Sequence, residues 1–282
     1  MPKYTVKEAN ELLPQKPTQS IIDPASLVYL GIAPPKFGKT TWFNSIPDAL
    51  LLAFERGHAF QKGFKIGIKD WGGRMEVEQD EEGVRYMTME MVSEILETSD
   101  RFSFIIFDTA DMAAKLCSDY HCKRQGWNHL TDGGDYGKGY DIGQNTPFRQ
   151  MVGRIMRTGR GIGFITHSQV NTSKFKKGDV AKKETTLPGG IYKFLHSQAD
   201  VILHGQFGNK GNRIWQTVGD DETLAGNRMR DINIPTRFIV DNKDPWKQWC
   251  SFFKDPKAAA AAEKAVEQLS LKSQGKQADA GE

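Results

Sequence analysis

The chain has 282 residues, 38% of them hydrophobic and 26% charged, and a formal charge of +3. That length can bury a sizeable core, as one large domain or two small ones, and the longest apolar runs, LLLAF and FIIF, fall far short of the roughly 20 residues that a bilayer crossing needs. Three cysteines exclude a disulfide framework, and MPKYTVKEANELLPQ carries no apolar signal segment, so a cytoplasmic protein is expected.

Thr5 and Glu8 fit a capping box ahead of VKEANELL, a short helix that Pro14 stops. An extended lead-in follows, and LVYLGIA from Leu27 to Ala33 has the content of a buried strand. A helix is predicted from Lys39 to just before Pro47, then a second buried strand, ALLLAF. FKIGIKDW and VRYMTM look strand-like, with the acidic EVEQDEEG between them as a turn or exposed edge. EMVSEILETSD has helical periodicity, and RFSFIIFDTAD is the continuous apolar run of a strand buried on both faces. A helix starting near Asp111 carries Cys117 and Cys122, expected as reduced thiols because no second Cys/His cluster completes a zinc site with them and His121.

Residues 123–145, rich in Gly, Asp and Asn, read as a long loop. TPFRQMVGRIMRTG reads as a helix closed by Gly159, GIGFITHS as a strand, and residues 169–190 as a second long polar loop. ADVILHGQF, NRIWQTV and TRFIVD then predict a run of antiparallel strands. Asp255 and Pro256 open an alanine-rich helix, and the last ten or so residues are expected to be disordered. Alternating strands and helices argue for an α/β fold: a mainly parallel central sheet flanked by helices, with antiparallel strands added towards the C-terminus. The expected divisions are residues 1–26 (helix and lead-in), 27–254 (core) and 255–282 (helix and tail).

The chemistry gathers at APPKFGKT, which meets the P-loop pattern G-x-x-x-x-G-K-[ST] except that Ala33 replaces the first glycine. Alanine serves there if its torsions are not left-handed. Loop amides entering a helix converge on phosphate oxygens, so Ala33, Pro34, Pro35, Lys36, Phe37, Gly38, Lys39, Thr40 and Thr41 form the expected cradle for a nucleoside triphosphate, ATP. Lys39 is expected on the β- and γ-phosphates and Thr40 on Mg²⁺. Asp108 ends the apolar strand FSFIIFD, where an acid can order the same metal; a neighbouring strand is expected to carry it.

In AAA+-type proteins a glutamate directly follows that aspartate, and Thr109 in its place argues against that branch. Glu55 instead ends LLLAFE and is followed by Arg56 and Gly57. PPKFGKTT, LLLAFERG, FIIFDTAD and FITHSQ together resemble the RecA-like family, most of all the phage-encoded RecA-like ATPases such as the Sak4-type annealing and recombination proteins. The resemblance spans about Leu27 to Asp241. It implies a RecA-like P-loop NTPase in which Glu55 positions the attacking water and a residue among His167, Ser168 and Gln169 senses the γ-phosphate.

The resemblance also implies that the two long loops face single-stranded DNA. Lys174, Lys176, Lys177, Lys182 and Lys183 would track phosphates and Phe175 would offer a stacking face, as would Trp127 and Tyr136 among the basic residues of the first loop. A basic residue from the next subunit often completes such sites, which makes Arg228, Arg230 and Lys243 candidates and a homo-oligomer the expectation. Other expected partners are a single-strand-binding or replication protein. A nucleotide-gated helicase loader or assembly factor is the alternative function. A small-molecule phosphotransferase using the arginines of GRIMRTGRG is the third.

Overall fold

The computed structural model describes residues 5–14, 22–55, 61–175, 178–220, 223–229 and 232–278, with backbone alone for Val6, Ala9, Asn10, 171–175, 178–183, Lys210 and 270–278. In chain order the elements are α1 (Val6–Leu12), β1 (Val28–Ala33), α2 (Lys39–Phe43), β2 (Ala49–Ala53), β3 (Phe64–Asp70), β4 (Glu78–Gln79), β5 (Arg85–Thr88), α3 (Met89–Thr98), β6 (Phe104–Asp108) and α4 (Ala110–Gln125). There follow α5 (Lys138–Tyr140), α6 (Thr146–Met156), β7 (Gly161–Phe175), β8 (Gly178–Thr185), α7 (Gly189–Gln198), β9 (Val201–Phe207), β10 (Arg213–Gln216), β11 (Gly226–Asn227), β12 (Arg237–Ile239), α8 (Pro245–Lys254) and α9 (Pro256–Ala278).

One sheet carries the fold, in the order β12-β10-β9-β1-β7-β6-β2-β3-β5-β4. From β9 to β5 the pairing is parallel, and β4, β10 and β12 add antiparallel edges. The apolar runs are continuous because both faces of the sheet are covered. Leu30, Ile32, Ile105, Phe107, Ile162 and Phe164 point to one buried layer with α3, α4, α6 and α7. Tyr29, Phe104, Ile106, Ile165, Leu203 and Trp215 point to the other, closed by α2, α8 and α9. No helix among the described residues is long and apolar enough to cross a membrane.

Four expectations change. Residues 126–145 are not an open loop but a compact chain of short helical turns, with Leu130–Gly133 and Asp141–Asn145 flanking α5. Their glycines serve packing: a Cβ on Gly139 would lie 1.7 Å from the Leu130 carbonyl oxygen, and one on Gly133 would lie 2.5 Å from the Trp127 ring. Residues 169–185 form an antiparallel hairpin, β7–β8, in register from Ser168↔Thr185 to Phe175↔Gly178. Backbone pairing holds such a ribbon without an apolar pattern, so the sequence concealed it. β9 forms the expected antiparallel run with β10 and β12 but also lies parallel beside β1, so the chain after Thr185 joins the main sheet. Finally, α9 continues to Ala278, through most of the tail expected to be disordered.

Candidate nucleotide site

β1 ends at Ala33 in extended strand, paired with His167. The chain then turns through Pro34–Phe37, closed by the Phe37 N–H to the Pro34 carbonyl at 3.3 Å. Left-handed torsions fall on Lys36 (φ 63°) and Gly38 (φ 93°), not on Ala33, so alanine costs the loop nothing there. Its methyl is accommodated by Gly205 of β9, where a Cβ would come within 2.5 Å of the Ala33 Cβ. Phe37 is buried against Trp215 and Phe207, so only its backbone faces the cradle, while Pro35, Lys36 and Thr41 are exposed. α2 spans only five residues, shorter than predicted, since Asn44 already leaves it for the turn before Pro47.

Lys39 lies folded into this loop and is 5% exposed. Its Nζ donates to the carbonyls of Ala33 (2.7 Å) and Pro34 (3.0 Å) and sits 3.1 Å from His167 Nδ1. Burial draws its pKa from the usual 10.5 down to about 8, against the opposing pull of Asp108, Asp111 and Glu55. His167 is held below its ordinary value by burial first and then by Lys39, with Asp111 and Glu55 pulling upwards. A neutral imidazole then accepts at Nδ1 from the ammonium.

Thr40 Oγ1 donates to Asp108 Oδ2 at 2.9 Å. The two meet although their strands are not neighbours: β7 lies between β1 and β6, which corrects the expected adjacency. A hydroxyl and a carboxylate converging at that distance are the hard oxygen donors that suit Mg²⁺. Glu55, exposed at the end of β2, accepts from Thr109 Oγ1 at 2.9 Å. Thr109 also caps α4, accepting from the Met112 N–H at 3.4 Å. Gly57 lies outside the described residues.

Asp111 escaped the sequence reading as a site residue, because an acid after a strand reads as a helix cap. Its carboxylate instead joins three elements, accepting from Thr166 Oγ1 (2.9 Å), from the His167 N–H (3.3 Å) and from Thr186 Oγ1. Thr166 and Thr185 hydroxyls are 2.8 Å apart. The base of the β7–β8 hairpin is thereby tied to the strand whose His167 touches Lys39.

Other candidates stand apart. Gln169 is exposed, and its amide reaches the Thr185 carbonyl at 3.5 Å rather than the cradle. Lys174, Phe175, Lys182 and Lys183 lie on the hairpin strands, and Lys176 and Lys177 fall outside the described residues, as does Arg230. Arg228 is committed to the Ser197 carbonyl and to Asp200, beside the start of β9, at the amino end of the parallel strands and so the opposite end from the P-loop. Lys243 lies in the turn beyond β12. The GRIMRTGRG arginines are also at that amino end: Arg154 makes a two-pronged ion pair with Glu97, and Arg160 binds the carbonyls of Phe102, Leu96 and Ser99. They cannot serve as lid arginines over the phosphates.

The family model described as AAA domain matches residues 25–229. No curated protein matches the chain. Thr109, which argues against the AAA+ branch on sequence, donates to the carboxylate of Glu55, two residues beyond the end of β2. With the match covering most of its length and the P-loop at the carboxyl end of β1, a central strand of the parallel sheet, the chain belongs to the AAA-domain family and is a P-loop nucleotide-binding ATPase.

Proposed function

We propose that the protein is a Mg²⁺-dependent, RecA-like ATPase that binds single-stranded DNA during phage-type recombination, annealing or replication. One observation carries the reading: β7 is a single strand that begins in the core, offers His167 to Lys39, and leaves the sheet as the lysine-bearing hairpin. Nucleotide and DNA would therefore be felt by one element.

Thr40 and Asp108 would hold the metal, which when bound neutralises developing phosphate charge. Lys39 would release the Ala33 and Pro34 carbonyls and turn its ammonium to the phosphates. Glu55, oriented by Thr109, would accept a hydrogen bond from the attacking water and align it in line with the γ-phosphate. The hairpin lysines would track the DNA backbone, with Phe175 against a base. The homo-oligomer, and any single-strand-binding or replication protein, belong to this reading as partners.

The test is ATP turnover with and without single-stranded oligonucleotide across a salt series. Stimulation that weakens steeply with salt is expected. Turnover indifferent to DNA, together with ATP-dependent capture of a replication protein, would replace this reading with that of a nucleotide-gated loader.

A further inference from the structure

We propose that Arg213 is a nucleotide-binding residue, a second cation from the same subunit on the phosphates held by Lys36–Thr41. The proposal rests on the nucleotide-binding reading of the P-loop and adds a contact from outside it. β10 returns antiparallel along β9 and opens with Arg213 opposite Phe207, at the carboxyl end of the parallel strands where β1 becomes the loop. Its Nη1 stands 2.2 Å from the place a Cβ on Gly38 would occupy. Glycine is required for its left-handed φ, and its missing side chain leaves the seat that this guanidinium occupies.

The seat leaves most of the cation unspent. Nη2 donates to Asn242 Oδ1 at 2.7 Å, and Nη1 reaches the Phe37 carbonyl at a long 3.4 Å. A guanidinium has five N–H donors, and these two contacts, both to neutral oxygens, use two. No carboxylate among the described residues forms an ion pair with it. An arginine only half-buried, resting on Gly38 and offering a free edge of its planar fork, suits phosphate oxygens better than it suits propping one distant carbonyl.

The experiment titrates ATP and ADP against the full chain at low and high salt, for wild type, Arg213→Lys, Arg213→Gln, Asn242→Asp and Lys39→Ala, with unfolding temperatures recorded without nucleotide. Glutamine keeps a donor and loses the charge, so about 10- to 100-fold weaker binding at low salt is expected, with an unchanged unliganded unfolding temperature. Lysine should recover most of the affinity, and high salt should narrow the gap. Asn242→Asp sets a carboxylate on the guanidinium without removing it; it should weaken binding as well, and it stands in if the glutamine variant does not fold. Wild-type affinity in both Arg213→Gln and Asn242→Asp overturns the proposal. So does an equal loss in the lysine and glutamine variants that tracks a lower unliganded unfolding temperature. If wild type binds no nucleotide, the P-loop reading itself falls; if Lys39→Ala alone loses binding, only the role of Arg213 does.

Discussion

A buried lysine with a pKa near 8 ties nucleotide binding to pH. Phosphate raises the ammonium's pKa, so affinity is complete below about pH 8, where no proton is exchanged, and falls above it by about tenfold per pH unit, where close to one proton is taken up on binding. Titration calorimetry in buffers of different ionisation enthalpy measures that proton; pH-independent affinity from 7 to 10 would show that Lys39 does not meet the phosphates. The unliganded protein behaves the opposite way. Its folded pKa is depressed, so Lys39 costs stability at neutral pH, and stability rises between about 8 and 10.5. Lys39→Ala should remove both dependences. Glu55 makes a second prediction at this scale. Glutamine there still accepts from Thr109, so Glu55→Gln should bind ATP like wild type while turnover falls by about 100-fold or more. Normal turnover in that variant would move the water-positioning role to another residue.

At the scale of elements, the hairpin is separable from the site. Gln169↔Glu184 and Ser168↔Thr185 close its base, and Thr166, Thr185, Thr186 and Asp111 hold that base to α4. Replacing residues 170–183 by a two-residue Asn-Gly turn keeps all of these contacts. ATP affinity should be unchanged and DNA stimulation abolished; stimulation that survives would place the DNA elsewhere. The elements also differ in how legible they were. β1, β2, β6 and the core part of β7 were readable because a strand buried on both faces must be apolar throughout, and the P-loop because its torsions demand particular residues. The hairpin and the turns of 126–145 were hidden, since backbone pairing and glycine close-packing leave no hydrophobic period. Gly205, Asp111 and Arg213 were invisible for a related reason: each acts on a residue far away in sequence, and only the strand order β10-β9-β1-β7-β6 brings them to Ala33, His167 and Gly38.

For the whole molecule, the second core layer decides where the folding unit ends. The AAA-domain match stops at residue 229, yet the face of the sheet beneath Tyr29, Trp42 and Trp215 is closed by Trp246, Trp249 and Phe252 of α8 and by Ala259 and Ala262 of α9. Trp249 is 0% exposed; its ring meets Tyr29, Trp42 and Phe238, and its Nε1 donates to the Tyr29 hydroxyl at 3.0 Å. Tyr29 is on β1, the strand that delivers the P-loop. Trp249→Ala should therefore cost about 3–5 kcal/mol through the lost burial, the cavity and the lost hydrogen bond to the Tyr29 hydroxyl, which keeps its bond to the Pro24 carbonyl, and should lower ATP affinity only as far as it unfolds the chain. A chain ended at Asp244 exposes the whole aromatic face and should neither fold cooperatively nor bind ATP. One ended at Ser270 keeps every buried residue named here and should melt like the full chain. Thermal unfolding of the three, followed by circular dichroism with and without ATP, checks this; cooperative melting and intact binding by the chain ended at Asp244 would mean that α8 and α9 are an appendage and not part of the ATPase fold.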